Sequence, residues 1–335
     1  MPKVTIAIIK ADPDGIINEH MNMCGPGYKS GHRVTLETFS KALDMMKTAG
    51  FAGARYDDGW NGRETATNNF GYTTYADGFM DTVIEKGMEA LPIMYMSNNL
   101  VTGAWNVFPE TDEQFKRAEI AADKMIQQLA GRTDIYEAWN EPDITNFGKN
   151  FTPERYVRVY KPMAEALKKY DPDAKIGYLC YAAAGNLQRH DWTTEMLEMG
   201  LDEMIRGNAI TFHGYPDPNP EKFGTTARIQ WYVDELERFG VSRDEYEIWI
   251  TEYGGTVADK HVSTRRRQGA FTVRETLMQR IEHDVDRFYV YRYDDPGNLI
   301  HRREASFGHV STSTGYMTPP ELKLSIFAPS FPTLK

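Results

Sequence analysis

Residues 135–170 read IYEAWNEPDITNFGKNFTPERYVRVYKPMAEALKKY, a short apolar run, then a loop, then a segment with helical periodicity. The run Ile135 to Trp139 predicts a strand. Thr152-Pro153 supplies a capping residue followed by a proline at the first helical position, the order in which helices commonly begin. The apolar residues that follow recur at helical spacing, at Tyr156, Val159, Met163 and Leu167. The stretch is therefore typical of one βα unit.

The same order of strand and helix recurs on both sides of this unit. The other seven predicted strands are Val4 to Ile9, Phe51 to Tyr56, Leu91 to Met96, Ala174 to Leu179, Ala209 to His213, Glu247 to Thr251 and Val285 to Tyr291. Helix signals include Thr35 as a cap, a capping box at Thr111-x-x-Gln114 and a short last helix after Pro320. Eight such units without a composition break predict an α/β fold, a single (β/α)8 TIM barrel over residues 1–335. A doubly wound open sheet is the alternative, but no glycine-rich phosphate loop follows Ile9.

Composition narrows the classes of partner. The chain has 38 basic and 48 acidic residues and a net charge of −10, which argues against nucleic acid or an anionic membrane. The two cysteines, Cys24 and Cys180, form no CxxC metal site and are predicted to be buried or half-buried thiols. The histidines are scattered and HExxH is absent, so neither a metal nor a cofactor is expected.

The first residues of the chain are typical of a strand rather than of a signal peptide. Localisation stays open, secreted or periplasmic if a signal peptide was removed and otherwise cytoplasmic, and the oligomeric state is not indicated.

Two glutamates follow predicted strands at the rim where barrels of this type carry their chemistry. Glu141 ends the fourth strand, and Glu252 ends the seventh. These strands lie on opposite sides of an eight-stranded ring, so the two carboxylates can face each other across its mouth. Cleavage of an acetal requires such a pair, one group to protonate the leaving oxygen and one to meet the developing positive charge.

The motifs around these glutamates resemble those of clan A glycoside hydrolases, which include cellulases, xylanases and β-xylosidases. Trp139-Asn140-Glu141-Pro142 matches the clan's acid/base motif, and Thr251-Glu252-Tyr253-Gly254 is similar to its nucleophile segment. Ala52-Gly53-Ala54-Arg55 and Phe212-His213-Gly214-Tyr215-Pro216 resemble its endings of strands two and six. The resemblance implies Glu141 as acid/base, Glu252 as nucleophile, Arg55 as the brace of the nucleophile and Asn140 as the partner of the sugar 2-hydroxyl. It also implies that His213 and Tyr215 line the sugar site.

Within the clan, the chain is most similar to family 39, the group of β-xylosidases, iduronidases and exopolysaccharide hydrolases. The similar segments are Arg55-x-Asp57-x-x-Trp60, Gly71-Tyr72-x-x-Tyr75, Leu91-Pro92-Ile93-Met94-Tyr95, Phe307-Gly308-His309-Val310 and Gly315-Tyr316-Met317-Thr318-Pro319-Pro320. One departure concerns the end of strand eight, where the clan usually places a tryptophan under the sugar. Here a tyrosine is expected, Tyr293 by position with Tyr291 as the alternative.

Several of these residues also have a purely structural interpretation. The alternative for Arg55 is an ion pair with Glu137 in the barrel interior, but the bracing role is preferred because a nucleophile in a crowded site needs a cation to stay ionised. The alternative for Tyr215 is packing within its loop. Among the tryptophans in or near the βα loops, Trp60 alone is predicted to stack on a sugar. Trp249 is predicted to point away from Glu252, toward the helices.

These features predict a retaining glycoside hydrolase that cleaves β-glycosidic bonds in an oligo- or polysaccharide by double displacement. A transglycosylase on the same site and a carbohydrate-binding pseudoenzyme are the alternatives. The matched acid, nucleophile and brace argue against the pseudoenzyme. The sugar, the linkage and the choice between internal and terminal cleavage are not encoded in any motif.

Overall fold

The computed structural model describes residues 21–24, 28–29, 32–33, 35–48, 50–74, 76–182, 186–215, 225–255, 265–291, 294–295 and 310–311.

Eight parallel strands hydrogen-bond side by side and close into a ring. In chain order, the first to eighth barrel strands are Met21–Cys24, Gly53–Gly59, Glu89–Tyr95, Ile135–Ala138, Lys175–Tyr181, Ala209–Gly214, Glu247–Tyr253 and Arg287–Val290. The first strand pairs with both the second and the eighth, which closes the ring. Outside it, Tyr28–Lys29 pairs with His32–Arg33 and Asp294–Asp295 with Val310–Ser311. The predicted parallel α/β architecture is confirmed.

The first barrel strand is not the one that the sequence indicated. Val4 to Ile9 lies outside the described residues, and Met21–Cys24 takes the first place in the ring. This strand has four residues, MNMC, without a β-branched side chain. Local propensity therefore gives no signal for it, and its hydrogen bonds to the two flanking strands define it.

Helical sequence follows each of the first seven barrel strands. The α-helices are Leu36–Thr48, Trp60–Arg63, Ala76–Glu85, Asn99–Thr102, Asp112–Leu129, Pro153–Tyr170, Leu187–Met196, Asp202–Ile205, Thr225–Arg238 and Arg265–His283, with a π turn at Leu197–Leu201 and a 3-10 turn at Arg243–Glu245. The capping box at Thr111 and Gln114 and the cap at Thr152 are both present. The helix predicted after Pro320 lies outside the described residues. Within the described part, no helix combines the length and apolar character required to cross a bilayer.

The core has two layers. The larger one lies between the helices and the outer face of the ring, and includes Tyr160, whose hydroxyl donates to the Met94 carbonyl at 2.8 Å. The smaller one consists of Leu91, Ile135, Ala209, Trp249 and Tyr289, from five different strands. Because the third and seventh strands are not neighbours in the ring, this cluster fills the barrel interior below the mouth.

Trp249 thus faces the barrel interior rather than the helices, so its predicted direction is wrong although its burial is correct. The cause is an irregularity in the seventh strand. Phe212 pairs with Ile250, whereas the next residue, His213, pairs with Glu252, so the seventh strand holds one extra residue. A bulge of this kind breaks the alternation of side chains. Trp249 and Glu252 therefore share the inner side of the ring.

Candidate active site

Glu141 is held at the mouth by a strained turn that follows the fourth strand. Trp139 and Glu141 have positive φ angles of 63° and 44°. Such conformations cost about 1–3 kcal/mol each in non-glycine residues. The turn is fixed because Trp139 is fully buried, stacks on Phe108 at 3.9 Å and donates its indole N–H to the Phe147 carbonyl. Burial of an indole ring contributes roughly 4–6 kcal/mol, which offsets most of the strain.

Arg55 connects the residues below the mouth. Its Nε donates to Glu137 at 2.6 Å, its Nη1 to Glu252 at 2.6 Å and its Nη2 to the side-chain Oδ1 of Asn140 at 2.7 Å. The guanidinium therefore contacts both residues predicted as its partners, Glu137 and Glu252. Replacement of Arg55 by a neutral residue would leave the buried Glu137 without its cation, at a cost of about 3–5 kcal/mol.

Glu252 is kept ionised by its neighbours. Burial alone would raise the pKa of Glu252, but His213 and Arg55 and a hydrogen bond from Tyr215 hold that pKa below its usual value. The Tyr215 hydroxyl donates to Oε2 at 2.7 Å, while Arg55 contacts Oε1. Both carboxylate oxygens are thus stabilised as acceptors, a state suited to nucleophilic attack.

His213 lies between the two glutamates. Its Nδ1 is 2.7 Å from Glu141 Oε1 and 3.5 Å from Glu252 Oε2. Its Nε2 lies 3.3 Å from Arg55 Nη2, and a guanidinium can only donate, so in the neutral ring the proton belongs on Nδ1. Burial opposes the charged ring, but the electrostatic influence of Glu252, Cys180 and Glu141 raises the pKa of His213 well above its usual value.

Cys180 is a neighbour of Arg55 and His213 that the sequence did not reveal. It is buried as predicted, and its Sγ lies 3.3 Å from His213 Nε2 and 3.7 Å from Arg55 Nη2. Its carbonyl accepts the Glu141 backbone N–H at 3.0 Å. Leu179 and Cys180 have φ angles of 82° and 50°, where the register of the fifth strand shifts. This bulge brings the fifth strand under the Glu141 turn. The side chain of Cys24 lies outside the described residues.

The two glutamates are close together. One ligand atom from each of Glu141, His213 and Glu252 lies within 4.8 Å of the other two, a grouping compatible with a metal ion. However, the Arg55 guanidinium contacts Glu252 at 2.6 Å and opposes a cation there. The arrangement is equally suited to acid–base and nucleophilic chemistry by the two carboxylates themselves.

Trp60 does not line the mouth, which corrects its predicted role in sugar stacking. Its side chain is completely buried, and its indole N–H donates to Glu64. The reason lies in Gly59, whose φ is 146° and where a Cβ would lie 2.7 Å from the Tyr95 carbonyl oxygen. The chain turns against the third strand at this glycine, and Trp60 begins a helix that leads into the core.

The exposed aromatic side chain near the mouth is instead Trp105, which retains 43% exposure. It packs edge-on against Tyr95 at 5.7 Å, and Tyr95 packs against Trp139 at 5.3 Å. Tyr293 lies outside the described residues. The alternative, Tyr291, is half-buried, with its ring 6.3 Å from that of Tyr215. The structure therefore brings together six of the predicted site residues, namely Arg55, Asn140, Glu141, His213, Tyr215 and Glu252.

The hydrogen bond from Tyr215 gives a prediction for pH dependence. Tyr215→Phe removes one interaction that lowers the pKa of Glu252, so that pKa rises. A carboxylate predicted to act as nucleophile must be ionised, so the acidic limb of kcat/KM is expected to move to higher pH. Its plateau is expected to fall about tenfold through loss of a hydrogen bond to a charged group. A pH profile of kcat/KM for both proteins measures the shift. An acidic limb at the wild-type pH would show that Tyr215 does not control this ionisation.

The fold and the site together define a parallel α/β barrel with paired carboxylates at the carboxyl ends of its strands. The family model for glycosyl hydrolases family 39 matches residues 56–237, more than half of the chain. The chain therefore belongs to this family.

Curated relatives agree with this assignment. A β-xylosidase from Geobacillus stearothermophilus is 27% identical over 177 residues, which cover 49% of this chain and 34% of the relative. A β-xylosidase from Caldicellulosiruptor saccharolyticus is 24% identical over 175 residues, covering 48% and 34%. The match thus spans about a third of each relative's length.

Solved structures share the fold. A family 39 glycoside hydrolase from the gut symbiont Bacteroides cellulosilyticus WH2 aligns with a TM-score of 0.74 and 20% identity, over 93% of this chain and 64% of that one. A monomeric β-xylosidase from Caulobacter crescentus CB15 aligns with a TM-score of 0.65 and 15% identity, over 91% and 67%.

Proposed function

We propose that the chain is a retaining glycoside hydrolase that cleaves β-glycosidic bonds in an oligo- or polysaccharide. The observation that carries this proposal is the pair Glu141 and Glu252, whose facing carboxylate oxygens lie within 4.8 Å. Retaining enzymes hold their carboxyl groups about 5–5.5 Å apart, and inverting enzymes hold them about 6.5–9.5 Å apart to admit a water. Names of the curated relatives and membership of family 39 support the same activity.

In the first step, Glu252 attacks the anomeric carbon while Glu141 donates a proton to the glycosidic oxygen. The bond to the leaving group breaks, and a covalent glycosyl ester forms on Glu252. Arg55 and Tyr215 hold Glu252 ionised before attack. The His213 Nδ1–H, at 2.7 Å from Glu141 Oε1, orients the acid.

In the second step, the Glu141 carboxylate removes a proton from water, which attacks the anomeric carbon and releases Glu252. Two inversions give net retention. Asn140 is positioned for the sugar 2-hydroxyl: because its carbonyl oxygen accepts from Arg55, its side-chain N–H remains available to donate.

The same proposal extends the fold to a complete (β/α)8 barrel, a single domain over residues 1–335 that requires no metal and no cofactor. The ring of eight strands and the helices after seven of them support it. The proposed partner is a carbohydrate, and neither a nucleic acid nor a membrane is proposed as a partner.

Transglycosylation on the same site is the second candidate function. The exposed Trp105 favours it because an aromatic ring at the rim can bind an acceptor sugar.

The test is a panel of aryl β-glycosides and β-linked oligosaccharides, with the anomer of the first product followed by NMR. The expected result is release of the β-anomer before mutarotation. An α-product would show that Glu252 activates water instead. Addition of a high concentration of acceptor sugar separates hydrolysis from transglycosylation, since the latter gives a longer oligosaccharide in place of the free sugar.

A further inference from the structure

Asp57 faces the mouth of the barrel. It lies two residues after Arg55 on the second strand, and residues so spaced share one face. The Arg55 guanidinium reaches Glu252, so this face is the inner one. The next residue, Asp58, points the other way and binds Arg63 through both carboxylate oxygens, at 2.9 and 2.6 Å. Asp57 therefore stands one step above Arg55, closer to the solvent end of the same wall.

Asp57 differs from the other carboxylates of this site. Glu137, Glu141 and Glu252 each accept hydrogen bonds from Arg55, His213 or Tyr215. By contrast, Asp57 is exposed, and no residue in the described part of the chain donates to it. The barrel wall around it raises the pKa of Asp57, the nearby Arg55 opposing this and Glu252 adding to it. Asp57 is thus a recessed carboxylate that water reaches but that accepts no hydrogen bond within the described part of the chain.

The charges around this position oppose an anionic ligand. The mouth contains the carboxyl groups of Asp57, Glu141 and Glu252, with Glu137 buried below it. The Arg55 guanidinium is already engaged by Glu137, Glu252 and Asn140. A sugar carboxylate next to Asp57 would place two like charges together, and the nearby basic groups, Arg55 and His213, already contact Glu137, Glu252 and Glu141. Sugar hydroxyls, by contrast, are donors that a free carboxylate accepts.

We propose that Asp57 is a specificity-determining residue whose carboxylate accepts hydrogen bonds from hydroxyls of a neutral glycosyl unit and disfavours uronic acids. The inference rests on the proposed function, because it assigns the glycosyl unit to the mouth that holds Glu141 and Glu252. It narrows the substrate class to uncharged glycosides.

The experiment uses Asp57→Asn, which removes the charge and preserves the shape. The substrates are the best neutral aryl β-glycoside of the panel and the aryl β-glucuronide. We expect kcat/KM for the neutral glycoside to fall about 10–100-fold, the loss associated with a hydrogen bond to a charged group. The ratio of neutral to glucuronide kcat/KM should narrow by at least about tenfold, since the like-charge repulsion is gone. Thermal unfolding should remain at the wild-type temperature, because no described contact is lost.

The matched control is Asp173→Asn, an exposed aspartate that precedes the fifth strand and therefore lies at the opposite end of the barrel. Its selectivity should equal that of the wild type. An unchanged ratio of neutral to glucuronide activity in Asp57→Asn would overturn the assignment of Asp57 while leaving the glycosidase proposal intact.

If the wild-type protein cleaves none of the glycosides, the proposed function fails, and Asp57 is then tested by binding alone. The probes are methyl β-xyloside, which is neutral, and methyl β-glucuronide, which carries a carboxylate, each titrated by calorimetry into both proteins. Weaker binding of the neutral probe to Asp57→Asn supports the recognition role. Equal affinities of both proteins for both probes overturn it.

Discussion

Glu252→Ala is expected to lower kcat by about 10⁴-fold or more, because loss of the attacking group removes the covalent step itself. The side chain is nearly buried, and its two oxygens are fixed by Arg55 and Tyr215. Among the described residues, no other carboxylate takes the place of Glu252 against Tyr215, since the buried Glu137 is directed to Arg55 Nε below the mouth. Steady-state hydrolysis of an activated aryl β-glycoside measures the loss.

Azide separates loss of the nucleophile from loss of the fold. In the cavity left by Glu252→Ala, azide attacks the anomeric carbon in a single displacement, so a β-substrate gives an α-glycosyl azide. Glu119→Ala, at an exposed helical glutamate, is the matched control and should retain wild-type turnover. Wild-type turnover in Glu252→Ala, without formation of the azide, would contradict its role as nucleophile.

The positions of Glu141 and Glu252 at the ends of their strands could be predicted from the sequence because each signal is local. An apolar strand followed by Asn-Glu or Thr-Glu places the carboxylate at the strand end, and the parallel ring then brings distant strands to one mouth. The residues that the sequence misplaced depend on irregular backbone. Regular alternation of side chains along the seventh strand predicts that Trp249 points away from Glu252. This is wrong because one extra residue lies between Ile250, which pairs with Phe212, and Glu252, which pairs with His213.

The positions of Trp60 and Cys180 also depend on backbone irregularities that the sequence does not mark. The sequence around Trp60 does not show that Gly59 lies against Tyr95 of the third strand, because the two residues are far apart in the chain. The Cys180 bulge has no glycine or proline to mark it, yet two positive φ angles occur there. Strained backbone at functional sites persists when the surrounding structure holds it in place. Here the buried Trp139 and the Cys180 carbonyl hold the Glu141 turn on either side.

Glu141→Ala should produce a loss that depends on the leaving group, which distinguishes an acid/base residue from a structural one. General acid catalysis contributes about 10²–10⁴-fold when the departing oxygen needs a proton. A 2,4-dinitrophenyl leaving group departs without that proton, so its glycosylation step should be nearly unaffected, whereas a β-linked disaccharide should suffer the full loss.

The second half of the reaction provides an independent readout for the same variant. Without Glu141 as base, hydrolysis of the glycosyl-enzyme slows, and the dinitrophenyl substrate should show a burst of one equivalent followed by slow turnover. Azide needs no base, so it should accelerate this slow phase and give a β-glycosyl azide, the opposite anomer to that from Glu252→Ala. Equal losses for good and poor leaving groups, with no burst, would mean that Glu141 acts only through its contact with His213. An α-glycosyl azide from Glu252→Ala and a β-glycosyl azide from Glu141→Ala would together assign attack to Glu252 and proton transfer to Glu141. The two products differ because the two glutamates lie on opposite faces of the sugar.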